Sequence, residues 1–283
     1  MSTIVATNIQ DRVSSISVPI VAVINQRTNY GLVPSNNSGD ITNDIDFTAG
    51  KCWDTTGTNY ITVAALTKQA DAPWAAGTNQ GMMDTGTFAA DTCYYFWAIY
   101  KDSDGTGDII MSLADDWASV TKTLITGYTT GQLIHALPSL AGSIVWPSVN
   151  IVEEEVQYLV TSPLYQNEWT TFVHSSLTTD VAIAATTGYV PALSLGKFIT
   201  NVQTDGTLVT TLAAGLADAS AAGGGVTTSY FYGSSNIRGI LGAVTVMTDA
   251  SQQVAVGITY TGGSPTLTVY VSGYMFMRRF NGT

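Results

Sequence analysis

The sequence predicts an all-β protein: two antiparallel β-sandwich domains of jelly-roll type in tandem, preceded by a short N-terminal arm. Three observations carry that expectation. Only 11% of the 283 residues are charged, against about 25% in an average soluble chain. The polar surface therefore falls to Thr, Ser, Asn, Gln and Gly, which suit strands and turns better than helices. Short β-branched or aromatic runs alternate with Asn/Asp/Gly clusters along most of the chain, the pattern of sandwiches and barrels. No stretch sustains a heptad, and no internal repeat of solenoid length is present.

Residues 1–30 differ from the rest. They hold few turn signals and one apolar, β-branched run, Val18-Pro19-Ile20-Val21-Ala22-Val23-Ile24. Two readings stay open: a first strand packed on the domain, or an arm that docks on a neighbouring subunit or particle. Alone, such a segment buries too little surface to offset its ordering entropy. Val18, Ile20, Val21, Val23 and Ile24 are thus the candidate subunit or particle contacts. The run is too short to span a bilayer. Met1 to Gln10 lack a basic segment followed by an apolar one. The expectation is a protein assembled in a cytoplasm, with no membrane partner.

Residues 31–150 form the first expected domain. Tyr60 to Leu66 is β-branched and partly alternating, and Thr92 to Tyr100 is dense in aromatics, as a strand with two useful faces requires. That run enters the Asp/Gly cluster Lys101 to Asp108 and continues as Ile109-Ile110-Met111-Ser112-Leu113, which predicts a β-hairpin. Asn36 to Asp40 and Thr55 to Asn59 are further turns. Residues 151–283 form the second. Its expected strands are Glu168–His174, Gly196–Gln203, Thr207–Leu212, Val244–Met247, Gln253–Tyr260 and Thr266–Met277. In the last of these, Leu267, Val269, Val271 and Gly273 alternate with Thr268, Tyr270, Ser272 and Tyr274, the pattern of a half-buried antiparallel strand. Ala213 to Gly223 is Ala-rich, but its closing glycines and scattered Ser and Asp argue for a loop. The interdomain linker is placed at Glu153-Glu154-Glu155.

The inventory of chemistry is thin. The net charge is -11, with ten Lys and Arg in all, and the longest basic run is Arg278-Arg279. A nucleic-acid partner is not expected, because binding needs a basic patch that displaces counterions. Cys52 and Cys93 fit no zinc or redox spacing, and two free thiols are the simpler reading. Neither His135 nor His174 accompanies a Gly-x-Ser-x-Gly elbow; His174 reads as a structural histidine at a strand end. Asp102, Asp104 and Asp108 could offer oxygens to Ca²⁺, but the Glu that completes an EF-hand loop is missing. The stretch reads better as a hairpin turn. Asp115-Asp116 and Glu153-Glu154-Glu155 read as solvated surface rather than as a glycosidase pair. No catalytic residue, cofactor or metal is expected. The six Trp lie mostly near turns or strand ends; core and edge packing is the plain reading, with sugar stacking or subunit contact as the alternative.

One stretch is distinctive: Asn43-Asp44-Ile45-Asp46-Phe47-Thr48-Ala49-Gly50-Lys51-Cys52-Trp53-Asp54. It continues through Ala65 to Gln69, Asp71 to Gly81 and Asp84-Thr85-Gly86. It resembles a family of bacteriophage and prophage virion proteins, tail fibres among them, in which a Tyr/Trp strand, here Tyr94 to Tyr100, and an Asp-Gly turn follow. The resemblance spans about residues 30–283, with 43–86 its specific part. The family's Tyr-x-x-x-Arg-Arg-Ile-Gly stretch has no arginines in the corresponding segment, Gly127 to Leu137. The resemblance implies a structural component of a tailed-phage virion, assembled as a homo-oligomer, in the first instance a homotrimer. It would be a tail fibre or tail-associated protein without enzymatic activity, whose partners are itself and other virion proteins of the tail or capsid. The alternatives are a capsid decoration protein or head fibre, and a carbohydrate-binding adhesin whose partner is a host surface glycan.

Overall fold

The computed structural model describes residues 8–10, 17–19, 30–90, 92–139, 146, 149–152, 155–158, 168–173, 181–184, 190–191, 194–203, 211–218, 227–231, 238–248, 253–261 and 266–276. The chain is all-β, and every regular element among these residues is a strand. In chain order the strands begin with β1 (Asn8–Gln10), β2 (Ser17–Pro19), β3 (Pro34–Asn36), β4 (Asp44–Phe47), β5 (Gly50–Trp53), β6 (Tyr60–Val63) and β7 (Leu66–Pro73). Next come β8 (Gln80–Met83), β9 (Cys93–Lys101), β10 (Gly107–Ser112), β11 (Tyr128–Pro138), β12 (Val149–Val152), β13 (Glu155–Tyr158) and β14 (Glu168–Val173). The last are β15 (Val181–Ala184), β16 (Leu195–Gln203), β17 (Thr211–Asp218), β18 (Thr227–Phe231), β19 (Arg238–Met247), β20 (Gln253–Thr261) and β21 (Thr266–Met275).

The first half builds a seven-stranded sheet in the order β11-β9-β10-β8-β7-β4-β3, with β5 and β6 as a separate antiparallel ribbon. Its centre is β9. Both faces of this strand are buried from Tyr94 to Ile99, because successive side chains project to opposite sides and both sides carry aromatics. On one side Phe96 meets Phe47 and Trp146 at 5.4 and 5.7 Å, and Tyr94 meets Phe88 and Trp146. On the other, Trp97 packs on Trp117 at 5.5 Å and donates its indole N–H to the Ala114 carbonyl at 3.1 Å. Each ring pair adds about 0.5–1.5 kcal/mol to the area it buries. The hairpin expected from Tyr94 to Leu113 forms: β9 and β10 pair antiparallel from Gly107↔Tyr100 to Ser112↔Tyr95.

β8 departs from antiparallel order. It lies parallel to β7 on one side and to β10 on the other. Parallel neighbours usually need a crossover of a dozen residues or more, yet only residues 74–79 join β7 to β8. The return is made tight by close backbone approach. A Cβ on Gly81 would stand 2.0 Å from the Pro73 carbonyl oxygen, so only glycine fits there. Asn79 supplies a left-handed residue with φ of 56°.

The second half divides between two sheets. One runs β12-β13-β21-β16-β19, with β14 sharing the β13 side of β21; the other runs β15-β20-β17-β18. The expected strands at 168, 196, 244, 253 and 266 are all present. Thr211–Asp218 is a strand, where the sequence reading had a loop from Ala213. It pairs with β18 and with β20 through the Ala213-Ala214-Gly215 stretch. Pairing on both edges outweighs the weak strand preference of Ala and Gly. The expected alternation of the last strand also breaks. Lys197 pairs with Gly273 but Phe198 with Val271, so Ser272 is an extra residue in β21. This bulge shifts the phase, and Tyr274, expected on the Thr face, is fully buried.

Of the Glu153–Glu155 stretch, Glu153 and Glu154 lie outside the described residues. Glu155 opens β13 and pairs with Val152, making β12 and β13 a hairpin within the second half. Between the halves, Tyr274 donates its hydroxyl to the Ala136 carbonyl at 2.8 Å, and Phe276 stacks on His135 at 5.5 Å. Phe198, Val271, Tyr274 and Phe276 join the same apolar core as the β9 aromatics.

Candidate functional site

Among the described residues, those singled out from the sequence do not converge. Val18 lies in β2 opposite Ile9, while Ile20, Val21, Val23 and Ile24 lie outside the described residues, as does His174. His135 is on β11, fully buried against Phe276, with Nδ1 at 2.9 Å from the Ala136 carbonyl oxygen. Cys52 is buried and Cys93 half-buried, and neither is in a disulfide. Burial pushes the Cys93 thiol up to about 12.

The acidic turn after β9 is consumed by its own geometry. Asp102 accepts the Thr129 hydroxyl at 2.8 Å. Asp104 accepts the Thr106 N–H at 3.0 Å and pairs with Lys101 at 3.0 Å. The hydrogen bonds from Thr106 come first in holding this carboxyl well below the ordinary aspartate range. Asp108 turns the other way, into the sheet. Asp116 accepts the Ser119 hydroxyl at 3.2 Å. Glu155 pairs with Lys197 at 2.5 Å across the second sheet. Among the described residues, no three His, Cys, Asp or Glu side chains are grouped as a metal site would need.

The acidic residues of the 43–86 stretch are likewise tied to the fold. Asp46 accepts from Asn37 at 2.8 Å and from the Thr67 hydroxyl at 2.6 Å. Asp54, 1% exposed, accepts from Thr56, the Thr58 N–H and Asn59, each at 2.9 Å. Burial raises its carboxyl, and these hydrogen bonds outweigh it and leave the group below the ordinary value. Asp84 accepts from Ser112 at 2.7 Å and from the Thr121 N–H at 3.0 Å.

A residue whose role was not anticipated, Lys68, sits at the centre of this polar layer with no exposure. Its ammonium meets Asp108 at 3.0 Å, the Ala75 carbonyl at 2.7 Å and the Gly77 carbonyl at 3.2 Å. Those are three acceptors for three N–H bonds. Asp108 in turn takes the N–H of Gly77 at 2.7 Å and of Ile109 at 2.6 Å. Together they pin the short 74–79 return between the parallel strands β7 and β8. Burial pulls the Lys68 pKa down, against the pull of Asp108. Sequence gave no signal for this: a lysine in a Thr-Lys-Gln run looks solvated until the return loop is seen to fold over it.

The tryptophans divide by role. Trp74, Trp97 and Trp146 are core residues whose indole N–H groups donate to the carbonyls of Ile109, Ala114 and Asn43. Trp53 is different. It lies on the outward face of the β5–β6 ribbon, directly across from Tyr60, with ring centroids 5.0 Å apart. The signal was present as two alternating tetrads, Gly50-Lys51-Cys52-Trp53 and Tyr60-Ile61-Thr62-Val63. Cys52, Ile61 and Val63 point inward, and Lys51, Trp53, Tyr60 and Thr62 outward.

No family model matches the chain, and no curated protein matches it. Among solved structures, a particle of infectious bursal disease virus, Gx strain, is 12% identical with a TM-score of 0.20, over 88% of this chain and 70% of that one. The VP2 subviral particle of infectious bursal disease virus is 13% identical with a TM-score of 0.19, over 87% and 71%.

Proposed function

We propose that this chain is a structural component of a tailed-bacteriophage virion, a tail fibre or tail-associated protein, assembled as a homotrimer and without enzymatic activity. The observation that carries the reading is how the 43–86 stretch, which resembles phage virion proteins, uses its polar residues. Asp46, Asp54, Lys68 and Asp84 are each engaged by hydrogen bonds or an ion pair inside the fold, and none is held out toward a shared cleft. A stretch spent on building a sheet fits a protein selected for shape and assembly.

In this reading the segment carrying Val18, Ile20, Val21, Val23 and Ile24 attaches the subunit to its neighbours or to the particle. The second half faces outward or meets another virion protein. The test is a hydrodynamic mass of the purified chain together with mass spectrometry of purified virions. A trimer that is present in particles supports the proposal; a stable monomer absent from particles refutes it. Labelled antibody on intact particles separates a tail position from the alternative of a capsid decoration protein or head fibre, which would label the whole shell.

A further inference from the structure

The outward face of the β5–β6 ribbon carries Lys51, Trp53, Tyr60 and Thr62. Tyr30 pairs with Lys51, and Lys51 with Thr62, so these three form one cross-strand row; Trp53 and Tyr60 form the next. Residues paired across strands project to the same side, about 5 Å apart. Tyr30 is 55% exposed and Tyr60 37%. The result is an aromatic patch in which the Trp53 and Tyr60 rings tilt by 47° to one another, with the Lys51 ammonium beside Tyr60.

That lysine is unlike its fellows. Lys68, Lys101 and Lys197 are each paired with a carboxylate, and Lys122 donates to the carbonyls of Trp117, Ala118 and Val120. Among the described residues, the Lys51 ammonium has no carboxylate partner and lies over the Tyr60 ring, 5.6 Å from its centroid. In a chain of net charge -11, a lysine left without an anion on an aromatic face is complementary to an anionic occupant. Flat aromatic rings stack on the C–H faces of sugar rings, and the row spacing is close to the length of one pyranose. Thr62 and the tyrosine hydroxyls add donors and acceptors at the rim.

We infer that the Tyr30–Lys51–Trp53–Tyr60 face is a binding site for an acidic saccharide, with the sugar ring on Tyr60, the tilted Trp53 ring at its edge, and its carboxylate on Lys51. The site is shallow, so one copy binds weakly and a symmetric assembly gains by multivalency. The inference stands apart from where in a particle the chain sits.

The experiment is an array of acidic and neutral oligosaccharides probed with the full chain, wild type and the variants Lys51→Gln and Tyr60→Ser. Circular dichroism checks that each variant folds, which is expected because Cys52, Ile61 and Val63 are untouched. The expected result is retention of uronate- or sialate-bearing members, weakened about tenfold in Lys51→Gln, the loss of one charge-assisted hydrogen bond, and abolished in Tyr60→Ser. Retention of neutral members alone, no retention, or binding unchanged in both variants overturns the inference. So does a wild-type oligomer that Tyr60→Ser converts to monomer, since the face would then be a contact between copies. Virion incorporation of the same variants reads out the virion proposal separately.

Discussion

Replacing Lys68 by Met tests the idea that a buried ion pair holds the parallel return between β7 and β8. Met conserves much of the length of the side chain and removes the charge. What remains is a buried Asp108 carboxylate, 3% exposed, and two carbonyls, those of Ala75 and Gly77, that have lost a donor. Breaking one side of a buried pair costs about 3–5 kcal/mol, most of it the penalty of stranding the other charge. A cost of that size in a domain stable by about 5–15 kcal/mol lowers the melting temperature by about 10 °C. The Asp108→Asn change keeps an acceptor for the Gly77 N–H and removes the stranded charge. Adding it to Lys68→Met therefore recovers part of the loss, and the two changes are non-additive. Thermal melts followed by tryptophan fluorescence at neutral pH read all three variants. A Lys68→Met loss under about 1 kcal/mol, far below the buried-pair range, or strict additivity, would refute the reasoning.

Tyr274→Phe removes the hydroxyl that reaches Ala136 at 2.8 Å and is expected to cost about 1 kcal/mol, measured by denaturant unfolding; no change would mean the halves are not coupled there. Gly131→Ala places a Cβ 2.6 Å from the Trp117 ring, so the ring must leave Trp97; the expected signature is a shifted tryptophan emission and a loss of about 1–3 kcal/mol from overpacking. The pH prediction concerns Asp54. Its folded pKa is lowered, so its stabilisation is complete above the unfolded value of about 3.9 and is lost as pH falls through the folded one. Asp54→Asn should flatten that acid limb, seen as a melting temperature that falls less between neutral and acid pH than in the wild type.

Much of the architecture was legible. The aromatic run, Asp/Gly cluster and apolar run from Tyr94 to Leu113 encode a hairpin locally, because turn chemistry and alternation agree there. The expected strands of the second half are likewise marked by β-branched runs between glycines. What was not legible depends on partners distant in sequence. β17 is a strand because β18 and β20 pair with it, not because Ala and Gly favour one. Tyr274 is buried because one extra residue, Ser272, slips the register against β16. The parallel placement of β8 rests on Lys68 and Asp108, forty residues apart in sequence and invisible as a pair until the sheet closes. Of the functional candidates, Asp102 and Asp104 proved to be hydrogen-bond acceptors of the turn after β9, as the Asp/Gly spacing suggested, and Asp116 is exposed, as its reading as solvated surface suggested. The outward row of Lys51, Trp53 and Tyr60 needed the β5–β6 register to be recognised as one face.

Under the proposed function, this polypeptide is a β-rich subunit of a virus particle. Cross-linking of purified virions, followed by mass spectrometry of the bands that contain this chain, tests that most directly. The predicted result is a chain–chain adduct within intact particles, with cross-links to a neighbouring virion protein. Its complete absence from particles produced by cells that express it would contradict the account.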